Sequence, residues 1–153
     1  MRTALFIGIL VVLAVFGLWQ LQNFLVPQAG LAPVTFPYTL GQDRALKWEL
    51  TKRDGEIHVQ VYCRTQVPVT NVRVSAERGP TRLAFGLEPD KEYDCLSFQE
   101  PMLTGLLAHE SDLRSGEQIN LGLSVQVLGN GGMTMYAWGS YLVVGSDGKL
   151  YED

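Results

Sequence analysis

The chain has 153 residues, of which 46% are hydrophobic and 18% charged, and a formal net charge of -4. That is room for one domain beside any membrane segment. Charge is unevenly placed, since only Arg2 precedes Asp43. Beyond Arg2 the acidic side chains outnumber the basic ones, so nucleic acid is excluded as a partner for want of a basic footprint.

From Ala4 to Val26 the sequence ALFIGILVVLAVFGLWQLQNFLV is uncharged, and its three polar residues, Gln20, Gln22 and Asn23, lie near its end. A helix over these residues would be about 35 Å long at ~1.5 Å per residue, against about 30 Å of hydrocarbon. Pro27 would stop it, with Arg2 and Trp19 as its anchors at the two membrane interfaces. The apolar run is too long for a secretory leader, and Pro27 and Pro33 spoil cleavage after Ala29 or Ala32. The expectation is an uncleaved single-pass anchor in the inner (cytoplasmic) membrane. Its N-terminus is cytoplasmic because Arg2 is basic and the far flank is uncharged, so the following domain is periplasmic or extracytoplasmic. Residues 1–26 form the anchor, 27–37 a spacer stiffened by Pro27, Pro33 and Pro37, and 38–153 the folded domain. No small-xxx-small seam and no intramembrane charge marks the anchor, so lipid is its expected surrounding through residues 4–26.

From Leu46 the hydrophobic period is two: Leu46, Trp48 and Leu50 alternate with Lys47, Glu49 and Thr51. A Lys52-Arg53-Asp54-Gly55 turn leads into a return strand with Ile57, Val59, Val61 and Cys63 inward. Val72, Val74 and Ala76 continue the pattern, Arg82 to Leu87 and Asp94 to Gln99 read as further short strands, and Glu100 to Leu113 reads as a short helix because Met102, Leu103, Leu106 and Leu107 have helical spacing. Ile119, Leu121, Leu123, Val125 and Val127 mark the clearest strand. A turn at Gly129 to Gly132 and a long strand from Met133 to Val144 follow, with a last short strand around Leu150. Seven or eight strands in a domain of this size predict a mainly β fold, an antiparallel sandwich of two sheets.

The text GEIHVQVYCRTQVPVTNVRV, with SGEQINLGLSV further on, resembles the bacterial immunoglobulin-like modules of adhesion and scaffolding proteins. The resemblance covers about a third of the domain. It implies an immunoglobulin-like sandwich and a tendency to bind proteins, and it carries over no catalytic residue. The chain lacks the antibody arrangement in which a Trp lies between the cysteines.

Copper is the most attractive chemistry for a membrane-anchored sandwich outside the cytoplasm, but the ligands are badly spaced. Cys63 has no nearby following His, and Cys95 precedes Met102 and His109 in the wrong order for a blue-copper loop. His58 and Cys63 point to opposite faces of one strand. Met133 and Met135 share a face, which is more often packing than ligation. No metal or other cofactor is expected. Cys63 and Cys95 have two open readings, a disulfide in an oxidising compartment or two buried thiols. Glu88, Asp90, Glu92 and Asp94 lack the glycine and register of a calcium loop and read as solvated surface. No hydrolase motif is present, and neither histidine adjoins a nucleophile, so no small-molecule substrate and no enzyme activity are expected.

What remains is the strand from Met133 to Val144, apolar on both faces. Tyr136, Trp138, Leu142 and Val144 are the candidate partner-interface residues, with cover by the Met102 to Leu107 segment as the competing reading. The functional expectation is a non-enzymatic accessory subunit whose domain docks on and stabilises a larger membrane complex, with photosynthetic and respiratory electron-transfer assemblies as reasonable hosts. The alternative is a copper-delivery or oxidase-assembly protein using Cys63, Cys95, His109 and the Met pair. A stand-alone adhesion module is the third.

Overall fold

The computed structural model describes residues 31–65, 69–86, 88, 91–93, 95, 98–129 and 132–152. The predicted anchor at residues 4–26, with Arg2 and Trp19, lies outside the described residues. Among those described, no helix is long and apolar enough to cross a membrane.

Nine strands among the described residues form two antiparallel sheets. The first contains β1 (Tyr38–Gln42), β2 (Leu46–Arg53), β3 (Glu56–Cys63) and β6 (Leu103–His109), in that order. The second contains β4 (Val69–Arg78), β5 (Thr81–Phe85), β7 (Gln118–Gly129), β8 (Gly132–Val144) and β9 (Leu150–Glu152), in the order β5-β4-β7-β8-β9. From β1 onward the chain crosses between sheets three times, at β3 to β4, β5 to β6 and β6 to β7. The last two crossings each bring a strand beside one laid down earlier: β6 beside β3, and β7 beside β4.

Period-two alternation makes the core. Leu46, Trp48 and Leu50 of β2 and Ile57, Val59 and Val61 of β3 face Val72, Val74 and Ala76 of β4 and the odd-numbered residues of β7. The β2–β3 turn has Asp54 at φ 52 and Gly55 at φ 80, the left-handed pair a two-residue hairpin needs. Trp48 is wholly buried, and β1 passes directly above its indole. A Cβ on Gly41 would stand 2.7 Å from Trp48 Nε1, so only glycine fits where the register of β1 shifts.

The expected helix at Glu100 to Leu113 is a strand followed by a single 3-10 turn, Glu110–Asp112. Its apolar residues mimic helical spacing because β6 carries a bulge. Ile57 pairs with Ala108 and His58 with Leu106, which leaves Leu107 as the extra residue. Leu107 and Ala108 are therefore both buried while Leu106 is turned out. The outer edge of β3 supplies the hydrogen-bonding partner that the local pattern did not reveal. In the expected strand at Asp94 to Gln99, Asp94, Leu96 and Ser97 lie outside the described residues, and Phe98 and Gln99 form a turn. Tyr93, just before it, makes one isolated bridge to Val69.

Pro33 bridges Tyr151 of β9, and the Val34 N–H donates to the Leu150 carbonyl at 2.8 Å. Val34 and Phe36 pack on the core, so the end of the stretch read as spacer lies on the domain. The chain then changes sheets at the cis Phe36-Pro37 peptide to begin β1. The Tyr38 hydroxyl donates to Glu152, tying β1 to β9 across the sheets. Burial first, then the hydrogen bond and negative charge of Glu152, push the Tyr38 phenol up to about 12.

At the end of the sandwich where β3 leaves for β4 and β5 for β6, Cys63 and Cys95 are joined by a disulfide. Around it the Thr65 N–H donates to the Cys95 carbonyl and the Met102 N–H to the Val61 carbonyl. Replacing both cysteines by alanine is expected to cost about 3–4 kcal/mol in the chain-entropy account of a cross-link spanning 32 positions, read as a lower denaturation midpoint of the solubilised chain. Gly105 of β6 lies under the Phe85 ring, where an added Cβ would stand 2.5 Å from ring carbons. Gly105→Ala is expected to destabilise by about 1–3 kcal/mol. Phe85→Leu in the same chain should recover part of that loss in the same unfolding assay.

Candidate docking face

The outward residues of the five-stranded sheet follow from the inward ones. With Ile119, Leu121, Leu123, Val125 and Val127 in the core, β7 presents Gln118, Asn120, Gly122, Ser124, Gln126 and Leu128 outward. Register aligns Ser75, Gly122 and Gly139 across β4, β7 and β8, and aligns Arg73, Ser124 and Ala137 beside them. Ser75, Gly122, Gly139, Ser124 and Ala137 form a low floor, and the Arg73 side chain stands beside it. The Ser75 hydroxyl sits over Gly122, 2.8 Å from where a Cβ would stand there, and points to the Gly122 carbonyl at 3.5 Å.

Larger side chains rim the floor. Met133 and Met135, which pair with Leu128 and Gln126, stand at one end, and Tyr141 and Val143 at the other. Shallow depressions open along this face, one lined by Arg73, Glu88, Ser124, Gln126 and Met135, another by Asn120, Gly139, Tyr141 and Glu152. From Gln118 to Ser146 the sequence has no Asp, Glu, Lys, Arg or His, in a chain that is 18% charged. Both long strands of the face are therefore uncharged, and its charged groups, Arg73, Glu88 and Glu152, stand on the segments that flank them.

The residues singled out from sequence fall elsewhere. Leu142 and Val144 are wholly buried, which corrects their reading as partner-interface residues: they sit on the even-numbered side of β8, opposite the core residues of β7. Tyr136 and Trp138, on the same side, are partly buried against the core. They stack on each other at 5.6 Å, and Trp138 Cδ1 lies 3.9 Å from where a Cβ on Gly41 would stand. The exposed apolar side of β8 is the odd-numbered one, with Met133 61% and Met135 64% exposed. The signal that could have found this face was the gap in charge between Glu117 and Asp147, read together with the strict alternation of β7.

The five residues considered for copper are not brought together. Cys63 and Cys95 are bonded to each other, His109 lies near Glu56 at the far end of β6, and the Met pair is on the outer face of the other sheet. Among the described residues no group of three His, Cys, Asp or Glu side chains is placed to hold a metal ion. In the acidic stretch Glu88 pairs with Lys91 at 3.0 Å, while Asp90 and Asp94 lie outside the described residues.

Two polar clusters are structural. On the outer side of the four-stranded sheet, Glu49 is buried and pairs with Lys47 at 2.5 Å, with Lys47 over the Tyr62 ring. The Tyr62 hydroxyl donates to Gln60 Oε1 at 2.7 Å. Burial, then the adjoining Glu49 carboxylate, push this phenol up to about 12, so it remains a donor. At the end of the sandwich bearing the β2–β3 turn, the Arg78 guanidinium donates to both Glu117 carboxylate oxygens at 3.1 and 3.2 Å. It also donates to the carbonyls of Leu107 and Asp112, and so holds β4 to the β6–β7 crossing.

Burial alone would raise the Glu117 carboxyl, but hydrogen bonds from the Arg78 side chain and the Arg114 backbone outweigh it and hold the group below its ordinary value of 4.5. A carboxyl depressed by folding adds stability above its unfolded value, and that stability is lost as pH falls through the folded one. Comparison of the chain with protein-family models, curated proteins and solved structures finds no match. Glu117→Gln is expected to cost about 1–2 kcal/mol at neutral pH, the scale of a charge-assisted hydrogen bond partly retained by the amide. The gap between variant and parent should close as thermal unfolding is measured at successively lower pH below about 4.5.

Proposed function

We propose that this chain is a non-enzymatic, single-pass accessory subunit, whose immunoglobulin-like sandwich lies outside the cytoplasm and docks on a larger membrane complex. The observation that carries the reading is the uncharged outer face of β7 and β8, floored by Ser75, Gly122, Ser124, Ala137 and Gly139. A sheet face exposed to water has no need to lack charge over two long strands, whereas a face covered by protein gains from it, because interface centres are depleted of charge. Small residues let a partner's side chains approach the backbone closely, and the methionines at the rim adapt to an irregular surface.

Other observations support the parts of the proposal separately. The pairing of the third strand with the sixth, and of the fourth with the seventh, follows the cross-sheet order of immunoglobulin-like sandwiches. A disulfide suits an oxidising compartment and thus the extracytoplasmic side. The uncharged run at residues 4–26 supports the anchor. An electron-transfer complex of the photosynthetic or respiratory kind is the proposed host.

The test is gentle solubilisation of the native membrane, capture through a C-terminal tag, and mass spectrometry of what accompanies the chain. Stoichiometric membrane subunits are expected with the parent protein. Ala137→Arg should release them, since it fills the small-residue floor and adds a second guanidinium in the row of Arg73, while Thr104→Arg on the outer side of the four-stranded sheet should not. Both variants should unfold at the parental temperature. Quantitative purification of the parent as a lone monomer would sink the accessory-subunit reading, and undiminished capture by Ala137→Arg would move the docking site off this face.

A further inference from the structure

β8 pairs with β7 along its whole length, but on its other edge β9 reaches only Leu142, Val143 and Val144. Burial changes where β9 ends. On the outward side Tyr141 and Val143 are half-buried, while Met133, Met135, Ala137 and Gly139 are all exposed. On the inward side Leu142 and Val144 are buried, Tyr136, Trp138 and Ser140 are half-buried and Thr134 is exposed. Gly122, Ser124 and Gln126 of β7, a strand paired on both edges, are half-buried. Among the described residues no strand lies beside Met133 to Gly139, and the exposure of these residues is that of an open edge.

The open edge presents its backbone groups in a fixed order. The Val144 N–H donates to the Glu117 carbonyl and the Val144 carbonyl accepts from Gly116, so the even-numbered residues of β8 turn their backbone groups toward β7. The register with β7 is unbroken, so Met133, Met135, Ala137 and Gly139 turn theirs to the open side. Edges that stay unpaired are commonly blunted by charge, proline or a bulge. From Met133 to Gly139 there is no charged residue, no proline and no shift of register. Arg73 and Glu88 line the depression on the other flank of Met135, toward β4. A Cβ on Gly139 would meet nothing nearer than the Leu121 carbonyl at 3.7 Å, an ordinary contact, so the domain itself has no need of glycine there. Glycine inside a strand often marks the close approach of another backbone.

We infer that β8 of a second copy of this chain adds antiparallel to this edge, about a twofold axis at Tyr136. A second copy is the occupant because the open stretch is complementary to itself. With the axis at Tyr136, Met133 of each copy stands opposite Gly139 of the other, and Met135 opposite Ala137, so every large outward residue meets a small one. These pairs join residues whose backbone groups face the edge, as hydrogen-bonded pairs must. On the inward side Tyr136 meets Tyr136 of the second copy, and Thr134 meets Trp138. Neighbouring registers fit less well. An axis at Ala137 sets Gly132 of the second copy level with Leu142, where Glu152 already stands. An axis at Met135 sets that methionine against itself and leaves Gly139 uncovered. The chain has a net charge of -4, but its two identical uncharged edges bring no like charges together. The pairing makes one sheet of two and one surface of their outer faces. It goes beyond the accessory-subunit reading and does not depend on it.

The experiment uses the full chain in detergent, mildly oxidised, in variants that each carry one added cysteine. With Cys63 and Cys95 bonded, the added thiol is the reactive one. Residues opposite one another in a non-hydrogen-bonded antiparallel pair have Cα atoms about 4.5 Å apart, within reach of a disulfide. Tyr136→Cys is therefore expected to form covalent dimer several-fold faster than Thr134→Cys, although Thr134 is the more exposed. The two copies of residue 134 stand four positions out of register, about 13 Å apart at ~3.3 Å per residue. Faster dimer formation at position 134 would overturn the inference, since it reports random collision or another register. Sedimentation of the full chain is the second measurement, with dimer expected for the parent and monomer for Ala137→Pro. The Ala137 N–H faces the open edge, so proline there removes no bond to β7 and the variant should unfold at the parental temperature. If it does not fold, the cysteine pair still decides. A parent that stays monomeric, or a folded Ala137→Pro that stays dimeric, would overturn the inference. Capture of a different protein by Tyr136→Cys in native membranes, with the parent monomeric in detergent, would overturn it in favour of a partner's strand.

Discussion

The structure depends first on the alternation of β7. This strand is central in its sheet, paired with β4 on one side and β8 on the other, and every second residue from Ile119 to Val127 is buried. A strand held on both edges and packed on one face has no freedom of register, because a slip of one residue would turn five apolar side chains into water. What β7 shows to solvent is therefore dictated by what it buries. Gly122 and Ser124 face outward because Leu121, Leu123 and Val125 face in, and β4 and β8 are aligned to them in turn.

The ends of the sandwich are closed by different chemistry. At one end a covalent link between Cys63 and Cys95 joins the two crossings that leave β3 and β5. At the other, Arg78 gathers Glu117 and the carbonyls of Leu107 and Asp112. Along one side, Tyr38 and Glu152 connect edge strands of opposite sheets. The crossings are where the backbone leaves its ladders, so its polar groups need partners outside the strands, and these links lie where that need is greatest.

The same frame separates the small residues of the outer sheet from its large ones. The floor of small residues lies in the middle of the outer sheet, and the large apolar side chains stand at its tip. A flat floor suits a protein surface with its own relief, and the flexible methionines at its end adapt to such a surface. The two long strands themselves carry no charge between Gln118 and Ser146, and the charged groups of the face stand on their flanks.

The hairpins were legible in the sequence because they are local. The Asp54-Gly55 turn with its flanking alternation, and the run from Ile119 to Val127, each specify pairing between near neighbours. The strand Leu103–His109 was not legible, because its bulge sets Leu107 and Ala108 side by side and the edge of β3 that captures it lies far away in sequence. For the candidate site, the sequence by itself determined that β8 is apolar on both sides and that its hairpin lacks charge. Only the tertiary structure decided which side is which: Leu142 and Val144 went to the core and Met133 and Met135 to the surface, because burying the odd-numbered residues of β7 leaves β8 one way to pair in register.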